Sequence, residues 1–194
     1  MKFSEILRQK ADKSWQASFD HPFVTGIADG TLPLEAFRYY LLNDSYYLSV
    51  FAKMQALGAA KANDLYTSAR MASHAQGTYE AELGLHENFS QRLGITDEER
   101  ANFVPSPSAY AYTSHLISVG YTGTLGEIIA AILPCYWLYW EIGERLQGST
   151  PAEPIYQEWI AAYGGDWFST LVKEQIDRLD ELAEQATPAE RVKM

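Results

Sequence analysis

Two short passages hold the residues best equipped for chemistry. In LPCYWLYWE, residues 133–141, the chain's one cysteine, Cys135, precedes Tyr139 by four positions. On a helix the thiol and the phenol therefore share a face, one turn apart. A cysteine becomes a nucleophile once a lowered pKa or a nearby base supplies the thiolate. Pro134, immediately before it, offers no backbone N–H and crowds the preceding turn. That predicts a kink or an irregular turn, and with it a thiol open to a cavity. Without such activation, a lone cysteine in an apolar helix is an inert small side chain, which is the commoner case. In the second passage Tyr40, Asp44, Tyr47 and Phe51 follow one another by four, three and four positions. This is one helical stripe with a carboxylate set among aromatic rings. If the stripe faces inward, Asp44 needs a partner from protein, water or ligand, because an uncompensated buried carboxylate is costly. The commoner role of such a residue is structural, bonded to a tyrosine hydroxyl or a helix end.

Tyrosine is unusually frequent. Thirteen tyrosines against eight phenylalanines imply a polar-lined interior, since each buried phenol needs a hydrogen-bond partner that phenylalanine does not. Tyr110 and Tyr112 in AYAYTSH, and Tyr163 before the pair Gly164 and Gly165, are placed so that a ring could reach a pocket. Surface or interface positions are the commoner fate of each. A di-iron carboxylate site needs a Glu three residues before a His on two helices. The residues three before His21, His74, His86 and His115 are Ser18, Met71, Leu83 and Tyr112, so the pattern fails. Glu82 and His86, four apart, could share a metal but read as an isolated surface pair. His21 alone is a weak haem ligand candidate. Zinc-peptidase, P-loop and dinucleotide signatures are absent, and no cofactor is expected.

The elements that must position these groups are helices. Apolar residues recur every three or four positions, with no bounded period-two run, so the class is all-α. The expected helices run over roughly 3–19, 34–60, 64–93, a short one opened by Thr96 and Glu99, 107–123, 124–148, 154–164 and 167–186. Their signals are capping residues at Asn63 or Asp64, Thr96, Ser106, Thr124 and Asp166, first-turn prolines at Pro107 and Pro154, and a stop at Gly94. The 194 residues, 47% hydrophobic and 13% aromatic, suffice for one sizeable core, so a single helical domain over 1–194 is expected. Thr187, Pro188 and Glu190 announce one more helix, of which the chain holds less than two turns. A longer C-terminal helix is therefore expected to be missing from this chain.

A formal charge of −10 and a pI near 4.8 argue against nucleic acid, which is bound through clustered Lys and Arg. One cysteine allows no intrachain disulfide, and MKFSEILRQK lacks the apolar core of a secretory signal. Both fit a cytoplasmic protein. The uncharged apolar run at 128–140, between Glu127 and Glu141, is too short to span a bilayer and reads as a helix buried in protein. No membrane partner is expected.

The passages HPFVTGIADGTLP, NDSYYL, RMASHAQGTYEAELGLH, PSPSAYAYTSHL, LPCYWLYWEIGERL and PIYQEWIAAYGGDWF together resemble the TenA family, also called thiaminase II or aminopyrimidine aminohydrolase. The likeness extends over essentially the whole chain. It implies a haem-oxygenase-like helical bundle without haem or metal, assembled as a homotetramer. It places the nucleophile at Cys135, a substrate-binding aspartate at Asp44, a thiol-activating tyrosine at Tyr47, and pocket tyrosines at Tyr112, Tyr139 and Tyr163. The family's proton-donating glutamate, on its last helix, has no counterpart here. The implied reaction converts 4-amino-5-aminomethyl-2-methylpyrimidine to the hydroxymethyl pyrimidine and ammonia in thiamin salvage; thiamin is cleaved likewise, with thiazole leaving. The aminopyrimidine's ring nitrogen and exocyclic amine would match Asp44. The alternative is a non-catalytic pyrimidine-binding protein on the same bundle.

Overall fold

The structure, a computed structural model, describes residues 1–194 apart from the side chains of Glu82 and Leu83. It contains twelve α-helices and one π-helical segment, with no strand among the described residues. In order these are α1 Phe3–Lys10, α2 Asp12–Phe19, α3 Pro22–Asp29, α4 Leu34–Lys61, α5 Leu65–Ala81, the π segment Glu82–His86, α6 Glu87–Arg92 and α7 Asp97–Asn102. After these come α8 Pro107–Thr122, α9 Leu125–Leu146, α10 Pro154–Tyr163, α11 Asp166–Gln185 and α12 Pro188–Arg191. The chain forms two compact units, Pro33–Ile132 and the pair of segments Met1–Leu32 and Leu133–Met194.

The unit 33–132 is built on α4, which packs along α5 and α8. Phe37, Leu41, Phe51 and Met54 of α4 are buried with Met71, Phe89, Leu116, Ile128, Ile129 and Ile132. Small residues let the helices close up. A β-carbon at Gly58 would come within 2.7 Å of the Met71 methyl, and one at Gly120 within 2.5 Å of the Met54 sulfur. Helix starts follow the sequence signals: Asp64 Oδ1 accepts from Thr67 N, Ser106 Oγ from Ala109 N, and Thr124 with Glu127 closes a full capping box. Thr96 forms only half of its box. Its hydroxyl accepts from Glu99 N, while the Glu99 carboxylate pairs with Arg38.

In the other unit α1 docks on α11. Asp180 accepts from both the backbone N–H (2.8 Å) and the hydroxyl (2.9 Å) of Ser4, so a side chain from α11 caps the start of α1. Trp15 donates to Glu141 and meets Trp137 edge-on, while Arg8 lies over the Trp15 ring. The helix expected over 3–19 is in fact two, joined at Ala11. Ala11 has no breaking tendency of its own; the separate anchors of Ser4 and Trp15 fix the two halves independently. Gly165 rather than Asp166 is the N-cap of α11, with Asp166 in its first turn, where its charge suits the helix dipole.

Helix α9 runs unbroken through Pro134, so the irregular turn expected there does not form. By length and composition α9 could cross a membrane, because the charged residues near its ends do not interrupt the helix. It is also rich in core residues: Leu125, Ile128, Ile129, Ile132, Leu133, Tyr136 and Ile142 are buried. Apolar character of this kind serves packing within the protein.

Candidate active site

Within the unit 33–132, the α4 stripe does turn inward. Asp44 retains only 8% exposure, and Tyr47 and Phe51 are likewise buried. Tyr40, one turn earlier on the same helix, donates its hydroxyl to Asp44 Oδ2 at 3.1 Å. His86 Nε2 reaches the same oxygen, also at 3.1 Å. A carboxylate only accepts, so Nε2 carries the proton, and His86 Nδ1 can take the hydroxyl hydrogen of Ser45 at 3.2 Å. Both bonds to the carboxylate fall on Oδ2. Oδ1 takes none from the described residues, and it is the oxygen left to meet a ligand donor.

Tyr47 stacks on Tyr112 with centroids 5.3 Å apart and planes at 21°, and leans on Phe51 at 5.6 Å. Tyr112 is fixed at its other end, its hydroxyl donating to the Ala131 carbonyl at 3.0 Å. The receiving carbonyl lies in the turn of α9 before Pro134. Asp44, Tyr47 and Tyr112 thus form one group of predicted residues, pinned by α4, α8 and the start of α9.

The other predicted residues belong to the unit of residues 1–32 and 133–194. Cys135 is a half-buried thiol in no disulfide, one turn before Tyr139. Tyr139, Tyr163 and Trp159 make an aromatic cluster, with Tyr163 at 4.8 Å from each of the other two rings and Phe168 edge-on to it at 5.3 Å. Backbone proximity creates this cluster, since α9 has Gly143 where it meets the end of α10. A cavity of about 320 Å³ beside Tyr139 and Trp159 is lined also by Ala17, Ser18, His21 and Val24. Its polar lining is sparse, which suits a flat, partly apolar ligand.

His21 proves to be the N-cap of α3, its Nδ1 accepting from Phe23 N at 3.1 Å. Among the described residues no group of three or more His, Cys, Asp or Glu side chains could hold a metal. The surface reading of His86 fails, as the ring is 4% exposed and bonded to Asp44; the Glu82 side chain lies outside the described residues. His86, Ser45 and Tyr40 are the polar partners that sequence reasoning did not assign. Tyr40 was legible as the first residue of the stripe. For His86 no local signal existed, because the pairing spans 42 positions and depends on the π segment that ends at this residue.

Helices alone, with two groups of aromatic side chains, a buried carboxylate and a half-buried thiol, make this an all-α bundle. The TENA/THI-4/PQQC family profile matches residues 8–194, and the chain belongs to that family. It is 60% identical over 194 residues to the aminopyrimidine aminohydrolase of Bacillus subtilis strain 168, covering all of this chain and 82% of that protein. To the aminopyrimidine aminohydrolase of Halalkalibacterium halodurans it is 39% identical over 196 residues, covering 100% and 88%. The TenA homologue of Pyrococcus horikoshii OT3 superposes with a TM-score of 0.90 at 27% identity, over all of this chain and 89% of that one.

Proposed function

We propose that the protein is an aminopyrimidine aminohydrolase of thiamin salvage that uses Cys135 as nucleophile. The observation that carries this reading is the Asp44 carboxylate, buried and fixed through Oδ2, with Oδ1 available to an amine or a protonated ring nitrogen. The names of the relatives from B. subtilis and H. halodurans support the substrate class. The Cys135 thiolate adds to an electron-poor ring carbon while an acid protonates a ring nitrogen. The exocyclic methylene then releases its amine as ammonia, water adds there, and the ring expels the thiolate. Water is consumed, and the carbon that held nitrogen holds hydroxyl. Thiamin would follow the same course with thiazole leaving.

In this reading Tyr47 assists the thiol, Asp44 orients the pyrimidine, and Tyr112, Tyr139 and Tyr163 supply aromatic surface to the ring. Both units serve one helical domain, as the family match from residue 8 to 194 supports. We assign the protein to the cytoplasm, where its one thiol stays reduced. The reading extends to a homotetramer: the exposed side of α8, where Tyr110, Ile117 and Tyr121 lie along one face, offers an apolar surface for contact between copies, and sedimentation reads the number of copies.

Ammonia release from 4-amino-5-aminomethyl-2-methylpyrimidine tests the mechanism. Cys135→Ser should keep the helical circular-dichroism spectrum and lose turnover by roughly 1,000-fold or more, as expected when the nucleophile of a covalent route is removed. Turnover at the wild-type rate in the serine variant would refute the covalent route.

A further inference from the structure

Asp44 is held by a side-chain relay whose central member, His86, comes from a different helical segment. Ser45 Oγ meets His86 Nδ1 at 3.2 Å, and His86 Nε2 meets Asp44 Oδ2 at 3.1 Å. Tyr40 reaches that same oxygen at 3.1 Å. The imidazole is almost wholly enclosed, at 4% exposure. It stands at the last position of the five-residue π segment Glu82–His86. A π turn carries an extra residue and shifts the helical phase of the residues after it, so it re-aims side chains that regular α geometry would send elsewhere. Burying a histidine at the end of an irregular turn is wasteful as mere filling, whereas a ring with two distinct nitrogens can join a hydroxyl to a carboxylate in a fixed line.

We infer that His86 is the positioning residue of the substrate-binding carboxylate: it locks Asp44 through Oδ2 and so aims Oδ1 at the exocyclic amine of an aminopyrimidine. The inference rests on the reading of Asp44 under Proposed function. Its specificity consequence is distinct from general packing. A carboxylate held in one orientation rewards a ligand that presents an amine and gives nothing to one that lacks it. A loosened carboxylate rewards both more equally.

The test is calorimetric binding of two probes, 4-amino-5-hydroxymethyl-2-methylpyrimidine and the same compound without its 4-amino group, to the full chain. The variants are His86→Leu, which removes both nitrogens, and His86→Gln, whose amide N–H can replace the Nε2 donor. In His86→Leu the amino compound should bind about tenfold more weakly, the scale of one charge-assisted hydrogen bond, with the des-amino compound little changed. His86→Gln should recover most of the loss. Equal weakening of both probes would mark His86 as structural only, and unchanged binding of both, or a glutamine variant no better than leucine, would likewise overturn the inference. Asp44→Asn separates the underlying reading. If it leaves discrimination between the two probes at the wild-type level, Asp44 is not the amine acceptor, and the reading of the site fails with the inference. Should His86→Leu not fold, Ser45→Ala replaces it: a several-fold loss confined to the amino probe is expected, and no loss overturns the inference.

Discussion

The stacked pair Tyr47 and Tyr112 separates the two functions of a tyrosine. The ring of Tyr112 packs on Tyr47, while its hydroxyl donates to the Ala131 carbonyl in the turn of α9 before Pro134. Tyr112→Phe keeps the first and removes the second, and should lower stability by about 1 kcal/mol in urea unfolding. Tyr112→Ala removes both and should cost about 3 kcal/mol or more. If the two variants unfold alike, the stack contributes nothing. At this scale the sequence was informative wherever a face repeats within one helix. The Asp44 stripe could be read because Tyr40, Asp44 and Tyr47 lie one turn apart, and a tyrosine hydroxyl was already a named candidate partner. His86 could not be read, since periodicity carries no information about which distant residue completes a hydrogen bond.

Between helices the decisive residue is Gly143. A β-carbon there would stand 2.4 Å from both Gly164 N and the Tyr163 carbonyl carbon, backbone atoms that cannot rotate away. Gly143→Ala must therefore push α9 and α10 apart and disturb the contact of Tyr139 with Tyr163, now 4.8 Å between centroids. Overpacking of this kind typically costs about 1–3 kcal/mol, and here it should reach the upper end because nothing flexible can yield. Gly148 is the control, with nothing within 4 Å of its added β-carbon, and Gly148→Ala should change stability by less than about 0.5 kcal/mol. Urea unfolding of both checks the contrast. Element boundaries were legible where a capping side chain bonds its own first turn, as at Ser106, Thr124 and Thr187. They were not legible at Ala11, where no local breaker stands, or at Glu82–His86, where Gly84 weakens the helix without marking a π turn.

For the whole molecule, the response of stability to pH is set by the groups that folding perturbs. Asp12, Asp29, Glu87 and Glu190 all sit below the ordinary carboxylate range, held there chiefly by side-chain bonds from Arg8, Thr31 and Arg100, and for Glu190 by the Thr187 backbone. Their contribution is present above the unfolded carboxylate values and is lost as pH falls through the lower folded ones. All four lie on the surface, so the acid decline should be shallow. The alkaline side has a more buried contributor. Burial pushes the Tyr156 phenol up, and the charge of Glu153 adds to this. Its ring is 1% exposed, and its hydroxyl donates to the Leu32 carbonyl at 2.7 Å. A raised folded value means the stabilisation is complete below about pH 10, the phenol's unfolded value, and disappears as pH climbs through the folded one. Tyr156→Phe should thus do two things. It should lower stability near neutrality by about 1 kcal/mol, since the part-buried Leu32 carbonyl loses its donor. It should also flatten the alkaline decline, because the variant has no phenol to ionise there. Urea midpoints measured from neutral pH to above pH 10 check both effects; parallel alkaline declines in the two proteins would mean that ionisation of Tyr156 is not what opens the fold in base.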